Sequence, residues 1–313
     1  MSPQEAVVLQ QLVNGLSLGM MYALLALGFT MVYGIIELIN FAHGDIFMLG
    51  LMVSLTLLVD LGLTGTLNGW ELIVVLPLIL IGTMLATGLI NVAVDRIAYR
   101  PLRRAPRLVP LISAIGVSFM LENLTLVWKG PYVLSYPDAL PSIDIVQDVL
   151  HLDSQVYFTT KDLLVVGITA PLIFGLHLFI TRTYWGKAMR AAAQDRETAE
   201  AMGIDVERII MLTFFVGGAL AGAAGVVQGL YYNIGQWWMG YQAGLRAFTA
   251  AVLGGIGNMP GAALGGFVIG LLSAWSDQII SARWTNAIVF SILILVLVFR
   301  PHGLLGERVP EKH

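Results

Sequence analysis

The chain has 313 residues, of which 57% are hydrophobic and only 12% are charged, and its mean hydropathy is +0.81. This composition is too apolar for a soluble domain and indicates a polytopic membrane protein. The sequence contains no cysteine, which excludes disulfides and thiolate metal sites. Its charge-free runs reach or approach the roughly 20 residues that a helix needs to cross a bilayer. We therefore expect an all-α membrane fold.

Charge-free runs predict the membrane helices in chain order. We expect helices near residues 7–33, 47–63, 72–94, 108–127, 163–180 and 209–231. The N-terminus lacks the basic region of a secretory signal, so we expect the first helix to remain in the protein. A last, short helix is predicted near residues 284–299.

The apolar run over residues 246–275 is interrupted by a glycine-rich segment, Gly254-Gly-Ile-Gly-Asn-Met-Pro-Gly261. Irregular backbone at membrane depth is tolerated only where it lines protein or water. We expect a broken or re-entrant pair of helices here. The chain as a whole is predicted to form one transmembrane domain over residues 1–313, with about eight transmembrane helices.

Basic residues are concentrated in three regions, which predicts the orientation of the chain. Residues 96–107, 182–208 and 300–312 contain 13 of the 17 Lys and Arg. By the positive-inside rule these regions face the cytoplasm. Residues 181–208 then form a cytoplasmic loop and residues 129–162, with five Asp, a periplasmic loop. The N-terminus is expected outside and the C-terminus in the cytoplasm.

Two polar interruptions of the apolar runs resemble each other. Asn40-Phe-Ala-His-Gly44 and Asn258-Met-Pro-Gly261 each place Asn and Gly where a hydrophobic stretch stops and resumes. Paired breaks in the two halves of a transporter indicate the transport path. The alternative interpretation is a cytoplasmic turn and a glycine packing seam. Recurrent GxxxG spacings, such as Gly15/Gly19 and Gly266/Gly270, predict close helix packing.

Ionisable residues near the apolar segments keep a second class of function open. Acids within membrane segments serve as proton relays in secondary transporters, and Glu37, Asp45 and Glu122 are the candidates. Glu122 lies about two turns from the outer end of its predicted helix, so a water-facing or capping role is an equal alternative. An ion-coupled secondary transporter is thus the rival hypothesis.

The segment Tyr184–Arg208 mixes charges with many alanines, which predicts short helices at the membrane surface. Gly186-Lys187 lacks the upstream glycine and the following Ser or Thr of a P-loop, so no nucleotide site is expected in this chain. ATP energy would have to come from another subunit. The segment is either a solvated connector or a docking element for a cytoplasmic partner.

Several longer motifs resemble one protein family over nearly the whole chain. They are Asn14-Gly-Leu-Ser-Leu-Gly-Met-Met-Tyr-Ala-Leu-Leu-Ala-Leu-Gly28, Ile39-Asn-Phe-Ala-His-Gly-Asp45, Arg96-Ile-Ala-Tyr-Arg-Pro-Leu102, Phe248-Thr-Ala-Ala-Val-Leu-Gly-Gly-Ile-Gly257 and Arg300-Pro-His-Gly-Leu-Leu-Gly306. The sequence resembles the H-type permeases of bacterial branched-chain amino acid ABC importers. The resemblance is weakest in residues 129–161.

The resemblance implies a multi-pass protein of the bacterial inner membrane that is not an enzyme and has neither catalytic residues nor a metal. It implies four kinds of partner: a second homologous permease, two cytoplasmic ATPases that use ATP, a periplasmic substrate-binding protein and the lipid membrane. No nucleic acid partner and no cofactor in this chain are expected. The implied mechanism is alternating access, in which ATP binding by the ATPases opens the path outward.

The resemblance also suggests functional residues. Those matching the family's ATPase-coupling segment are Gly186, Ala188, Arg190, Ala191, Asp195, Ala199, Gly203 and Ile204. Asn40, His43 and Asn258 are expected near the translocation path. The implied substrates are leucine, isoleucine and valine, but permeases of urea or short amides resemble this sequence too.

Overall fold

A computed structural model describes residues 3–306, except residues 68, 104, 107, 150, 152–154 and 301. The α-helices of that part are α1 (Pro3–Ile36), α2 (His43–Asp60), α3 (Gly69–Val94), α4 (Leu108–Lys129), α5 (Thr160–Arg182), α6 (Tyr184–Gln194), α7 (Arg196–Ala201), α8 (Val206–Tyr232), α9 (Met239–Gly254), α10 (Met259–Ile279) and α11 (Ala282–Phe299). Strands β1 (Leu134–Ser135) and β2 (Ile234–Gly235) pair antiparallel. A π-helical turn and a 3-10 turn extend α3 to Leu102.

Eight helices of the described residues are long and apolar enough to span a membrane, which confirms the all-α polytopic fold. They are α1, α2, α3 with its extension, α4, α5, α8, α10 and α11. The predicted glycine-rich break is confirmed, because α9 ends at Gly254 and α10 begins at Met259. The two helices flanking this break are unequal, since α9 has 16 residues and α10 has 21.

The helices divide into a buried centre and an exposed periphery. Most of α1, α2 and α8 is buried, whereas most residues of α3, α4, α5 and α11 are half-buried or exposed. The exposed faces carry large apolar side chains such as Ile73, Phe119 and Phe174. In a membrane protein such faces suit lipid or partner helices, because neither offers polar groups to apolar side chains.

Glycines hold α1 and α10 together as an antiparallel pair. A Cβ at Gly15 would lie 2.8 Å from the Cα of Leu271, and one at Gly19 would lie 2.8 Å from the Cα of Phe267. From the other helix, Gly266 and Gly270 pack on the backbone of α1. Backbones can approach so closely only without side chains between them. These two GxxxG motifs are therefore the two sides of one packing seam.

The segment after α4 folds onto the connection between α8 and α9. Strand β1 pairs with β2, and the buried Tyr136 hydroxyl donates to Ser54 Oγ at 3.1 Å. Burial raises the pKa of Tyr136, so the phenol remains a neutral donor. Lys161 forms an ion pair with Asp138 at 2.9 Å. The segment therefore covers the end of the bundle at which α8 ends and α9 begins.

We predict that Gly19→Ala destabilises the protein by about 1–3 kcal/mol, because its methyl group must force α1 and α10 apart. Thermal unfolding of the purified protein in detergent measures the effect as a lower Tm. Gly167→Ala is the matched control, since Gly167 is exposed on α5 with no atom within 4 Å of an added Cβ. That substitution should leave the Tm unchanged or raise it. Equal Tm values for the two variants would contradict the proposed seam.

Candidate functional site

The first polar interruption places the start of α2 inside the bundle. After α1 ends at Ile36, Glu37 adopts a left-handed conformation with φ 55°, and the chain is non-helical until His43. The His43 ring packs on Gly28 of α1 and lies near Gly217 of α8. Gly28 precedes the end of α1 by eight residues, which corresponds to about 12 Å along the helix axis. The chain therefore re-enters the bundle before α2 begins.

Close backbone contacts make room for this buried helix start. Gly44 of α2 lies against Gly240 and Gly244 of α9, and Gly50 lies against Gly222 of α8. A side chain at Gly44, Gly50, Gly240 or Gly244 would meet backbone of the facing helix. The glycines of the Asn-Phe-Ala-His-Gly motif and of α9 thus belong to one crossing of α2 and α9.

Asn40 and His43, both predicted near the path, are fully buried at this crossing. Asn40 Oδ1 accepts a hydrogen bond of 2.6 Å from the hydroxyl of Tyr99, which lies in the π-helical turn after α3. The His43 ring meets Phe29 edge to face with centroids 4.7 Å apart. Both side chains therefore help to fix the interrupted segment in place.

Buried acids lie near the same crossing. Asp45 is fully buried in the first turn of α2, where its Oδ2 accepts a hydrogen bond from Ser118 Oγ of α4 and Oδ1 faces Gly240. Glu122 follows Ser118 by one turn and is 8% exposed. Of the three acids considered for a proton relay, these two are thus neighbours, whereas Glu37 lies at the end of α1.

Asn258 has a different position from the other two predicted path residues. It is the N-cap of α10, where its Oδ1 accepts from the Gly261 amide at 2.9 Å and its Nδ2 donates to the Leu305 carbonyl at 2.8 Å. Amides of Leu304 and Leu305 also satisfy carbonyls at the end of α9. Asn258 thus fastens the C-terminal segment to the second break, and no described hydrogen bond links it to Asn40 or His43.

A cavity of about 270 Å³ opens between α1, α2, α8 and α9, at the end of the bundle covered by the β1–β2 pair. Apolar side chains and amides share its wall: Met21, Tyr22, Leu25, Phe47, Gln228, Tyr232, Ile234, Gln236, Met239, Gln242, Ala243 and Arg246. Such a mixture of apolar surface and a few polar groups is typical of a small-molecule site.

Among the described residues that line this cavity, Arg246 is the single cation. Its guanidinium donates to the Tyr22 hydroxyl at 2.8 Å and twice to Asn286 Oδ1, at 3.0 and 2.7 Å. The sequence did carry a signal for this residue. Arg246 is the one charged residue between positions 209 and 276, and an isolated charge in an apolar stretch of a membrane protein is such a signal.

Aromatic rings lie about one helical turn beyond the cavity, towards the end of α1. His43 precedes the cavity residue Phe47 by one turn of α2, and Phe29 follows Leu25 by one turn of α1. The centroid of the Phe248 ring lies 6.2 Å from the ring centroids of both Phe29 and Phe41. We call Phe29, Phe41, His43 and Phe248 the aromatic floor. Near the end of α1, a cavity of about 70 Å³ is lined by residues of α1, α6 and α8.

The predicted coupling residues lie in and around α6 and α7, and the structure shows which of them face inward. Gly186, Ala188 and Ala199 are buried, and Gly186 packs on the backbone of Ile180 at the end of α5. Ala191 and Ile204 are half-buried. These small residues let the two short helices pack tightly on the bundle.

The exposed members of the predicted set support the local backbone. Arg190 donates to the Ile180 carbonyl, and Asp195 Oδ1 caps α7 by accepting from the Thr198 amide at 3.2 Å. Gly203 has φ 84° and closes α7, with its amide bonded to the Glu200 carbonyl at 2.9 Å. Left-handed backbone favours glycine at that position.

Two further residues of this region were not singled out from the sequence. Met202 at the end of α7 is 79% exposed. Arg196 Nε donates at 2.9 Å to the carbonyl of Ile35 in the last turn of α1. Desolvation lowers the pKa of Arg196 and the charge of Glu37 raises it, and an arginine remains protonated in either case. Arg196 thus ties α7 to the first interruption.

The fold and the cavity define a polytopic α-helical membrane protein with a small-molecule cavity inside its helix bundle. The chain belongs to the family described as "Branched-chain amino acid transport system / permease component", which it matches over residues 11–298. This finding confirms the family expected from the sequence motifs.

Similar proteins align with this sequence over all or nearly all of its length. The sequence is 40% identical to the high-affinity branched-chain amino acid transport system permease protein LivH of Escherichia coli K12, over 100% of both chains. It is likewise 40% identical to the corresponding protein BraD of Pseudomonas aeruginosa, over 97% of both. A chain of PsaBC from Streptococcus pneumoniae, solved with a Fab, aligns with 94% of this chain and 91% of its own length at TM-score 0.48 and 14% identity.

Proposed function

We propose that this chain is the membrane subunit of an ATP-driven importer that moves leucine, isoleucine and valine from the periplasm to the cytoplasm across the bacterial inner membrane. The similar proteins are named as permeases of branched-chain amino acid transport systems. The observation that carries the proposal is the cavity above the aromatic floor. The apolar part of its wall suits an aliphatic side chain, and its position between the central helices suits a transport path.

In this proposal, the aromatic floor is the gate of the transport path. A cavity of about 270 Å³ lies on one side of the floor and one of about 70 Å³ on the other. By the positive-inside rule, we place the larger cavity on the periplasmic side. Alternating access then requires movement of the α2 start, which carries His43, relative to α1 and α9. We place Asn40 and His43 at this gate and Asn258 at the inner break, where it holds the C-terminal segment.

Coupling to ATP is assigned to α6 and α7. The chain lacks a P-loop, so the partner ATPases supply the nucleotide site. The Arg196 contact with the Ile35 carbonyl gives a direct path from α7 to the first interruption. A second permease completes the membrane domain, since a permease named LivM from Methanocaldococcus jannaschii is 29% identical over 44% of this chain. A periplasmic binding protein delivers the amino acid.

Two alternative functions would require different chemical groups at this site. A permease of urea or short amides would need neither a cation nor a large apolar wall in the cavity. An ion-coupled transporter would use Asp45 and Glu122, which lie close together on α2 and α4. Both alternatives are distinguished from the proposal by the energy source and by the transported solute.

We predict that proteoliposomes with both permeases, the two ATPases and an external binding protein accumulate leucine only when the lumen contains ATP. Radiolabelled leucine measures the uptake. A proton ionophore should leave it unchanged, because the energy comes from ATP. Vesicles that contain hydrolysis-deficient ATPases serve as the control.

Leucine uptake by this chain alone, or uptake that is abolished by the ionophore, would overturn the proposal in favour of ion coupling. Urea transport that leucine does not inhibit would instead support the short-amide alternative.

We also predict that Met202→Glu weakens binding of the ATPase subunits roughly tenfold, because it places a charge in the centre of the proposed contact. Co-purification of the ATPases with the tagged permease measures the binding. Tyr132→Glu is the matched control, since Tyr132 is 76% exposed but lies in the segment between α4 and α5. Unchanged ATPase recovery with Met202→Glu would contradict the assignment of α7 to docking.

A further inference from the structure

Arg246 is an isolated charged residue in a long apolar part of the sequence. Apart from it, residues 209–276 contain no Asp, Glu, Lys, Arg or His. The residue lies in the middle of α9, and its side chain reaches the cavity between α1 and α9. An ionisable group inside a membrane domain is costly unless it faces water, a partner or a ligand. A role in ligand binding is therefore the first hypothesis for this residue.

The hydrogen bonds of Arg246 orient its guanidinium without using all of its donors. A guanidinium has five N–H groups. Asn286 of α11 accepts from Nε and Nη2, and Tyr22 of α1 accepts from Nη1. Three of the five donors are thus engaged by the described residues, which leaves one N–H on each terminal nitrogen. Two such donors match the two oxygens of a carboxylate.

The charge of Arg246 has no direct ion-pair partner among the described residues. Asp277 is close enough to influence it electrostatically, yet it forms no ion pair within 4.0 Å, and its Oδ1 accepts from Thr285. Tyr22 and Asn286 are neutral acceptors, so the positive charge remains uncompensated at short range. An anionic group of a ligand would compensate it.

The remaining cavity wall matches the other parts of an amino acid. Met21, Leu25 and Phe47 offer apolar surface, whereas Gln228 and Gln242 offer amide oxygens that accept from an ammonium group. The volume of about 270 Å³ lies below the roughly 300–1,000 Å³ of pockets for drug-sized ligands. A single small zwitterion suits this space better than a larger solute.

We propose that Arg246 binds the α-carboxylate of the amino acid in the cavity above the aromatic floor. This inference rests on the proposed function and specifies its ligand class. Asn286 is a positioning residue that orients the guanidinium. The carboxylate requirement excludes urea and amides as good ligands of this site, since neither offers two anionic oxygens.

The test uses the complete importer in proteoliposomes and measures leucine transported per ATP hydrolysed. Charge-assisted hydrogen bonds to a carboxylate are strong, so Arg246→Gln should lower this ratio at least about tenfold. Arg246→Lys should restore part of it, because the charge is kept. Arg283→Gln is the matched control, since Arg283 is exposed at the start of α11 and should tolerate the change.

A merely structural role of Arg246 predicts a different result: Asn286→Leu, which removes two of the three hydrogen bonds, would then be as harmful as Arg246→Gln. A ratio near the wild-type value for Arg246→Gln, with wild-type uptake intact, would overturn the inference alone. Absence of ATP-driven leucine uptake by the wild type would overturn the proposed function instead.

A second measurement covers the case in which Arg246 variants fail to fold. The wild-type permease complex without the binding protein should be stabilised thermally by millimolar leucine but not by leucinamide, which lacks the carboxylate. Equal stabilisation by the two compounds, or none by leucine, would overturn the proposal.

Discussion

Every backbone amide and carbonyl at an interruption inside a membrane bundle needs a partner from the protein, because lipid offers none. This constraint governs the two places where the chain stops being helical within the domain. At the first, Arg196 donates a hydrogen bond to the Ile35 carbonyl, and the Tyr99 hydroxyl donates one to Asn40 Oδ1. At the second, the backbone amides of Leu304 and Leu305 donate hydrogen bonds to carbonyls at the end of α9. Hydrogen bonds from other parts of the protein therefore support both breaks.

Support of the first break has a functional consequence. The start of α2 carries His43 into the aromatic floor, while the same segment is joined to α7 through Arg196 and the end of α1. In the proposed mechanism, a rotation of α6 and α7 by the partner ATPases would act on the backbone that positions the floor. The glycines at 44, 240 and 244 bring the backbones of α2 and α9 into direct contact, so a movement of the α2 start acts directly on α9.

The apolar runs predicted the helices well, because length without charge is a direct consequence of the bilayer. The tertiary contacts of individual residues could not be predicted from their spacing in the sequence. Asn258 resembled Asn40 in sequence, but Asn-x-x-Gly is also the pattern of a helix cap, and the partner Leu305 lies 47 residues away. Gly186 and Ala199 matched a coupling motif, yet they face the bundle. Arg246 stood out as the one charge between positions 209 and 276, but the sequence could not show that Tyr22 and Asn286 orient it in a cavity.

The central claim is that the Arg246 cavity opens to the periplasm and that the aromatic floor separates it from the cytoplasm. The chain has no cysteine, so single cysteines report access cleanly. The measurement is labelling of Gln242→Cys and Ala193→Cys by a membrane-impermeant maleimide added to either side of vesicles. We expect Gln242→Cys to react only from the periplasmic side without ATP, and Ala193→Cys on α6 only from the cytoplasmic side. Labelling of Gln242→Cys from the cytoplasmic side alone would contradict the account.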